Sequence, residues 1–206
     1  MFDLLKQLII AKELKFGNGE IKLFGQNLFF IPSDTISEMI YNNTTAQNTY
    51  LYNISKKIGF YWFKNMITTH GLDNRQIVKW GLQTLSLSGW GKLELKELDE
   101  KNSFSRTIMI DSIVGKSLLN KYGPSKLPVD YIVRGLMAGG GCIIHKEPTI
   151  EMVEIKCVGV GDPYCEIVAR KREVLLNNEK YKEQLGDIFY DVDLQTGMLV
   201  KKITKG

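Results

Sequence analysis

The chain has 206 residues, 44% of them hydrophobic, 24% charged and 10% aromatic, which supports a sizeable buried core and excludes a disordered tail, a collagen-like rod and a disulfide mini-protein. Lys and Arg number 27 against 23 Asp and Glu, a formal charge of +4 that is scattered rather than gathered in a block, so nucleic-acid binding is not expected. Three cysteines, Cys142, Cys157 and Cys165, are too few for a disulfide framework, and without a signal-peptide pattern they point to a reducing, cytoplasmic setting.

At the N-terminus the apolar run Leu8 to Ala11 is too short for a signal segment or a membrane span. Leu4, Leu5, Leu8 and Ile9 instead recur at helical spacing, which predicts a short amphipathic helix ending near Gly17-Asn18-Gly19. Glu20–Phe24 and Asn27–Ile31 read as a β-hairpin around Gly25-Gln26. Ser33 or Asp34 can cap a helix through Ile36, Met39 and Ile40 that stops at Asn42-Asn43. A longer helix follows over 46–69, with Leu51, Ile54, Ile58, Tyr61, Trp62 and Ile67 as its apolar face. Gly59 inside it marks close packing against another element.

Asp73 caps the next helix, carrying Ile77, Val78, Leu82 and Leu85, before the turn-rich stretch Ser86 to Gly91. Lys92–Leu98 alternates apolar and charged residues, slipping by one at its end, and pairs with Phe104–Ile110. Ser112–Tyr122 reads as a helix ended by Gly123-Pro124. Pro128 opens a further helix, Val129–Ala138, which glycines 139–141 are expected to terminate. Ile150–Val158 and Tyr164–Arg170 form a hairpin around residues 159–163. A helix near Asn177–Leu185 and two strands, Ile188–Val192 and Met198–Ile203, complete the chain. Without repeats or linkers, the expectation is one α+β domain, an antiparallel sheet of hairpins packed against several helices. Residues 21–171 form its core, with 1–20 and 172–206 as terminal elaborations.

Glu154, Cys157 and Cys165 carry the strongest chemical signal. The two cysteines can approach each other across the hairpin, and two thiolates make zinc the favoured metal, at about 2.3 Å per Zn–S bond. Residues three apart point to opposite faces of a regular strand, so Glu154 and Cys157 converge only through a bulge, expected at Lys156–Gly159. Two facing cysteines are equally readable as small buried apolar residues, or as a disulfide disfavoured by the compartment.

The segments Val129-Asp-Tyr-Ile-Val-Arg-Gly-Leu-Met-Ala-Gly139 and Glu154-Ile-Lys-Cys-Val-Gly-Val-Gly-Asp-Pro-Tyr-Cys-Glu-Ile-Val168, and more weakly Ser88-Gly-Trp-Gly91, resemble the 4-vinyl reductase domain family. That family is similar in fold to subunits of the TRAPP vesicle-tethering complex and includes sensor domains of phenol-responsive transcription regulators. The resemblance implies an α+β homodimer that holds an apolar or aromatic small molecule, with a structural zinc near the pocket. In the phenol-sensor members a Cys ahead of the Arg-Gly helix segment joins the Glu, Cys and Cys of the hairpin on the metal. Here the last three fall on Glu154, Cys157 and Cys165. The first falls near Asp130, where an oxygen donor in place of a thiolate weakens a zinc site. Cys142 and His145 are the substitutes to consider, and Lys156 and Arg170 are candidate compensating cations.

Phe60-Tyr-Trp-Phe63 with Trp80, Trp90 and Phe104 exceeds what local helix packing needs, so Trp62, Trp80, Trp90 and Phe104 are candidate pocket residues, although each also fits an ordinary core. His70, which could meet a phenol-like hydroxyl, fits better as a helix-end residue. The glycine runs lack the context of a phosphate loop.

The leading expectation is a non-catalytic sensor or carrier of a hydrophobic molecule. The alternatives are an accessory subunit of a vinyl reductase, for which no hydride-carrying cofactor motif is present, and a pure interaction subunit of TRAPP-like fold. Lys, Ile and Asn usage is compatible with a prokaryotic source.

Overall fold

The computed structural model describes residues 14–203 apart from 18, 24, 25, 29 and 187. Strands β1 (Leu14–Gly17), β2 (Glu20–Leu23) and β3 (Gln26–Leu28) form a three-stranded antiparallel meander. The helix expected over the first turns of the chain lies mostly outside the described residues, and its last part, 14–17, is strand paired to β2 through Phe16 and Ile21. Helix α1 (Ser33–Asn42) follows Pro32 and ends at Asn43.

Helix α2 (Thr45–His70) begins in a capping box, in which Thr44 Oγ1 accepts from Gln47 N at 3.3 Å and Gln47 Oε1 accepts from Thr44 N at 2.8 Å. Asp73 and Gln76 repeat the device for α3 (Asn74–Leu87). Each box satisfies backbone donors that a helix start leaves open. Strands β4 (Lys92–Asp99) and β5 (Phe104–Ile110) pair antiparallel, followed by α4 (Ile113–Tyr122), capped by Ser112. Helix α5 (Tyr131–Ile144) precedes β6 (Ile150–Lys156), a 3₁₀ turn (Val158–Val160) and β7 (Cys165–Lys171). The sheet order is β4-β5-β7-β6, antiparallel throughout.

Two helices meet without side chains between them. A Cβ on Gly59 of α2 would lie 2.0 Å from the Leu136 carbonyl oxygen, and one on Gly139 of α5 would lie 2.0 Å from the Lys56 carbonyl oxygen; at Gly135 it would meet Tyr52 O at 2.3 Å. Glycines 139–141 therefore do not end the helix as expected. They run through its interior, where Gly139 packs on the α2 backbone, Gly140 on the Phe63 ring and Gly141 on Ile150, close packing that offsets their poor helix propensity. Gly59 marks the close approach that its position in a helical pattern implied.

The sheet is sandwiched. Residues Met109 and Thr107 of β5, Ile167 and Ala169 of β7, and Ile150 and Met152 of β6 face α2, α3 and α5, within the main core. Val153 and Val168 point the other way, into a second cluster with Leu175, Leu185 and Phe189, supplied by α6 (Arg172–Leu176), α7 (Glu179–Leu185) and the hairpin β8 (Ile188–Val192) with β9 (Leu199–Ile203). The helix expected near Asn177–Leu185 is α7, capped by Asn178, and the short α6 before it had no counterpart in the sequence reading. Bulges decide which residues face inward. A register shift between Leu95 and Glu97 keeps Leu98 on the helix side, and another between Glu154 and Lys156 lets Glu154 and Cys157 share a face. Among the described residues no helix is long and apolar enough to cross a membrane.

Gly139→Ala is expected to lower unfolding stability by about 1–3 kcal/mol through overpacking against α2. Gly17→Ala, where a Cβ meets nothing within 4 Å, changes it by less than about 0.5 kcal/mol. Urea denaturation followed by circular dichroism measures both.

Candidate functional site

Asp130, Glu154, Cys157 and Cys165 come together in the interior, each buried, with one donor atom from each lying within 4.8 Å of the others. Three devices bring them there. Asp130 sits at the N-cap of α5 but makes no side-chain cap bond; its Oδ1 accepts from Ser112 Oγ at 2.8 Å and its Oδ2 from the Cys165 thiol at 3.2 Å. Ser112 Oγ in turn accepts from Gly115 N at 3.0 Å, so one hydroxyl both caps α4 and orients Asp130. The β6 bulge turns Cys157 toward Glu154, and the 3₁₀ turn brings Val158 N to 3.3 Å from Cys165 Sγ.

Glu154 is held from two sides and left open on a third. Its Oε2 accepts from Asp130 N at 3.3 Å and lies 3.8 Å from Arg134 Nε, whereas Oε1 is buried with no hydrogen-bond partner. Gln184 of α7 fixes its backbone, accepting from Glu154 N at 2.9 Å and donating to Glu154 O at 2.8 Å. Burial, then the neighbouring Cys157 and Asp130, holds the Glu154 carboxyl well above the ordinary glutamate range. Hydrogen bonding with Cys165 pulls the Cys157 thiol below its ordinary value, while Cys165 is pushed up and keeps its proton. Four convergent oxygen and sulfur donors with one buried oxygen lacking a partner can hold a soft divalent metal.

A small cavity of about 30 Å³ lies between the helices and the sheet, against Val78 and Leu82 of α3, Leu95 and Leu98 of β4, Met137 and Ile144 of α5, and Met152 of β6. Ser105 and Thr107 of β5 and His145 at the C-cap of α5 add polar atoms to its wall. A separate recess of about 100 Å³, bordered by Lys126, Pro128 and Asp162, reaches Glu154 and Cys157.

The aromatic residues singled out in the sequence sit elsewhere. Trp62 is buried edge-on to Phe63, their ring centroids 6.2 Å apart, and Trp80 stacks obliquely against His70. Trp90 lies in the turn after α3, packed against the core. Phe104 is on the opposite face of the sheet, under the Arg170 guanidinium at 3.8 Å from its ring centroid. Strand alternation accounts for this last placement: Ser105 and Thr107 face the helices, so Phe104 faces away.

Cys142 lies outside the four-residue group, its Sγ 3.6 Å from Pro148 O, and burial pushes its thiol up to about 11. The cation beside the acidic group is Arg134, not Lys156 or Arg170; Lys156 pairs with Glu166 at 3.4 Å instead. Sequence reasoning passed over Ser112, read only as the first residue of a helix, and Gln184 altogether. An amide on an amphipathic tail helix carries no signal of a role until α7 is seen against β6.

The raised Glu154 pKa sets a pH dependence. The folded protein holds a proton that the unfolded chain releases near 4.5, so this contribution to stability is full below that value and is lost as pH rises through the folded pKa. Chelator-treated protein is expected to lose stability from pH 5 to pH 8, and Glu154→Gln to flatten the decline. Urea midpoints across the range measure it, and an identical slope in the variant contradicts the assignment.

No family model matches the chain, and no curated protein matches it in sequence. Solved structures do. The phenol-responsive sensory domain of the transcription activator PoxR, solved with phenol, matches with a TM-score of 0.71 and 20% identity, over 90% of this chain and 95% of that one. A trafficking protein particle complex subunit 3 from Naegleria fowleri, covalently bound to palmitic acid, matches at TM-score 0.41 and 15% identity over 68% and 95%. A vinyl-4-reductase family protein from Methanocaldococcus jannaschii matches at 0.43 and 16% over 70% and 83%. The chain has the α+β fold of the PoxR sensory domain, the fold that its resemblance to the 4-vinyl reductase domain family implied.

Proposed function

We propose that the protein is a non-catalytic binding module that holds an apolar small molecule between its helices and its sheet, stabilised by a structural zinc ion. The observation that carries this reading is the apolar cavity walled by α3, α5 and the sheet, in a fold shared with a domain solved with phenol. Zinc fits the donor chemistry of Asp130, Glu154, Cys157 and Cys165, and the unpartnered Glu154 Oε1 is the buried atom such an ion would satisfy. Bound there, zinc would cross-link the start of α5 to the β6–β7 hairpin, and four protein donors leave no position open for chemistry on a substrate. Two thiolates and two carboxylates on Zn²⁺ leave a formal charge of −2, which Arg134 and the N-terminus of α5 offset. A cytoplasmic homodimer belongs to the same proposal.

Cavity size supports a second reading. Its volume of about 30 Å³ is below the roughly 150 Å³ that accommodates benzene in an engineered protein cavity, so a ligand enters only if Met137 and Met152, both flexible, give way. A chain whose cavity stays shut would serve as an interaction subunit.

Protein purified without added metal is expected to carry about one zinc per chain, falling below about 0.2 in Cys157→Ser/Cys165→Ser, and chelation is expected to lower its melting temperature. Elemental analysis reads the first and a thermal shift the second; metal content unchanged in the double variant overturns the site. Mass spectrometry of organic extracts from the native protein separates the two functions: a copurified apolar compound supports the binding module. No compound, and no stabilisation by added hydrocarbons or phenols, supports the interaction subunit.

A further inference from the structure

The cavity wall is mostly apolar. Its polar residues are Ser105 and Thr107, on the inward face of β5, and His145, at the C-cap of α5. His145 Nδ1 is buried and makes no hydrogen bond among the described residues. With the neutral ring's proton on the other nitrogen, Nδ1 presents an acceptor lone pair, and the Glu100 backbone also bonds to the ring. Burial pushes the imidazole below the ordinary histidine pKa, which favours this neutral form at pH 7. A buried polar atom without a partner is destabilising, so a ligand that donates to it gains on binding what the empty protein lacks.

The rest of the wall indicates what the ligand's body is made of. Leu82, Leu95, Leu98 and Ile144 are branched aliphatics, Met137 and Met152 are adaptable thioethers, and Phe63 is the one phenyl ring among the lining residues. Gly141 packs tightly beside them, since a Cβ there would crowd Ile150 Cγ2 at 3.0 Å. Such a slot admits a slim, flexible chain more readily than a flat ring.

We propose that the cavity selects a largely aliphatic molecule bearing a hydroxyl group, which donates to His145 Nδ1 beside the hydroxyls of Ser105 and Thr107. This rests on reading the cavity as a ligand site. It adds a specificity-determining residue and a chemical class.

The test compares 1-hexanol with its isomer 1-methoxypentane, which has the same atoms and can accept but not donate a hydrogen bond. Titrations followed by NMR are expected to give hexanol an affinity about tenfold or more above the ether in the wild-type protein. In His145→Phe and His145→Leu the two fall within about twofold of each other, because the acceptor is gone. In the wild-type protein the nitrogen-15 resonance of His145 Nδ1 moves with hexanol and not with the ether, which tests the contact without any substitution. Equal binding of both compounds with an unmoved Nδ1 resonance overturns this inference while leaving the cavity a ligand site. Binding of neither overturns it together with the reading on which it rests.

Discussion

Backbone contact between α2 and α5 positions nearly everything that matters here. Gly59, Gly135 and Gly139 let the two helices approach to a distance that no β-carbon tolerates, which fixes the axis of α5 against the long helix α2. Once that axis is set, α5 acts as a ruler across the protein. Its N-cap, Asp130, falls in the acidic thiol group; Met137 and Gly141 fall on the cavity; its C-cap, His145, closes the cavity's polar side. A shift of α5 along α2 would disturb both places at once, which is why helix-poor glycines are tolerated in the middle of a helix.

Two glutamates three residues apart on β6 show how differently this fold treats buried charge. Glu151 is fully engaged: Lys56 Nζ and Arg172 Nη2 reach its Oε1 at 2.8 and 2.7 Å, and Tyr52 donates to its Oε2 at 2.7 Å. That network ties α2, β6 and α6 together, and removing one partner would leave a buried charge uncompensated at a cost of about 3–5 kcal/mol. Glu154 faces Asp130 and two thiols instead, with Arg134 no closer than 3.8 Å and one oxygen unpartnered. A fold able to satisfy one buried carboxylate fully and leaving its neighbour short of a partner has the composition of a metal site beside a structural ion-pair network.

Much of this was legible in residue order, and the failures have physical causes. Asp73 lies where capping chemistry announces a helix start, and Gly59 announced a close approach by its place in an apolar helical pattern. The slip at the end of β4 was the bulge that returns Leu98 to the core. Glycines 139–141 misled because glycine ends helices and also permits close helix packing, and only the partner helix decides between the two. Glu154, Cys157 and Cys165 stood out by their spacing around one hairpin, and the family resemblance added Asp130, which lies far from them in the chain. The aromatics were assigned to the cavity on bulk, although its wall is chiefly aliphatic. Arg134, Ser112 and Gln184 stayed hidden because each matters only through contacts that link distant parts of the chain.

The central claim is that one helix carries a metal site at its start and a ligand cavity along its length. Anomalous diffraction at the zinc edge, from crystals of protein purified without added metal, tests it most directly. The account predicts one strong peak among Asp130, Glu154, Cys157 and Cys165, with residual density in the space between Met137, Met152 and His145. No anomalous peak at those four residues, together with a cavity closed by its own side chains, would contradict it.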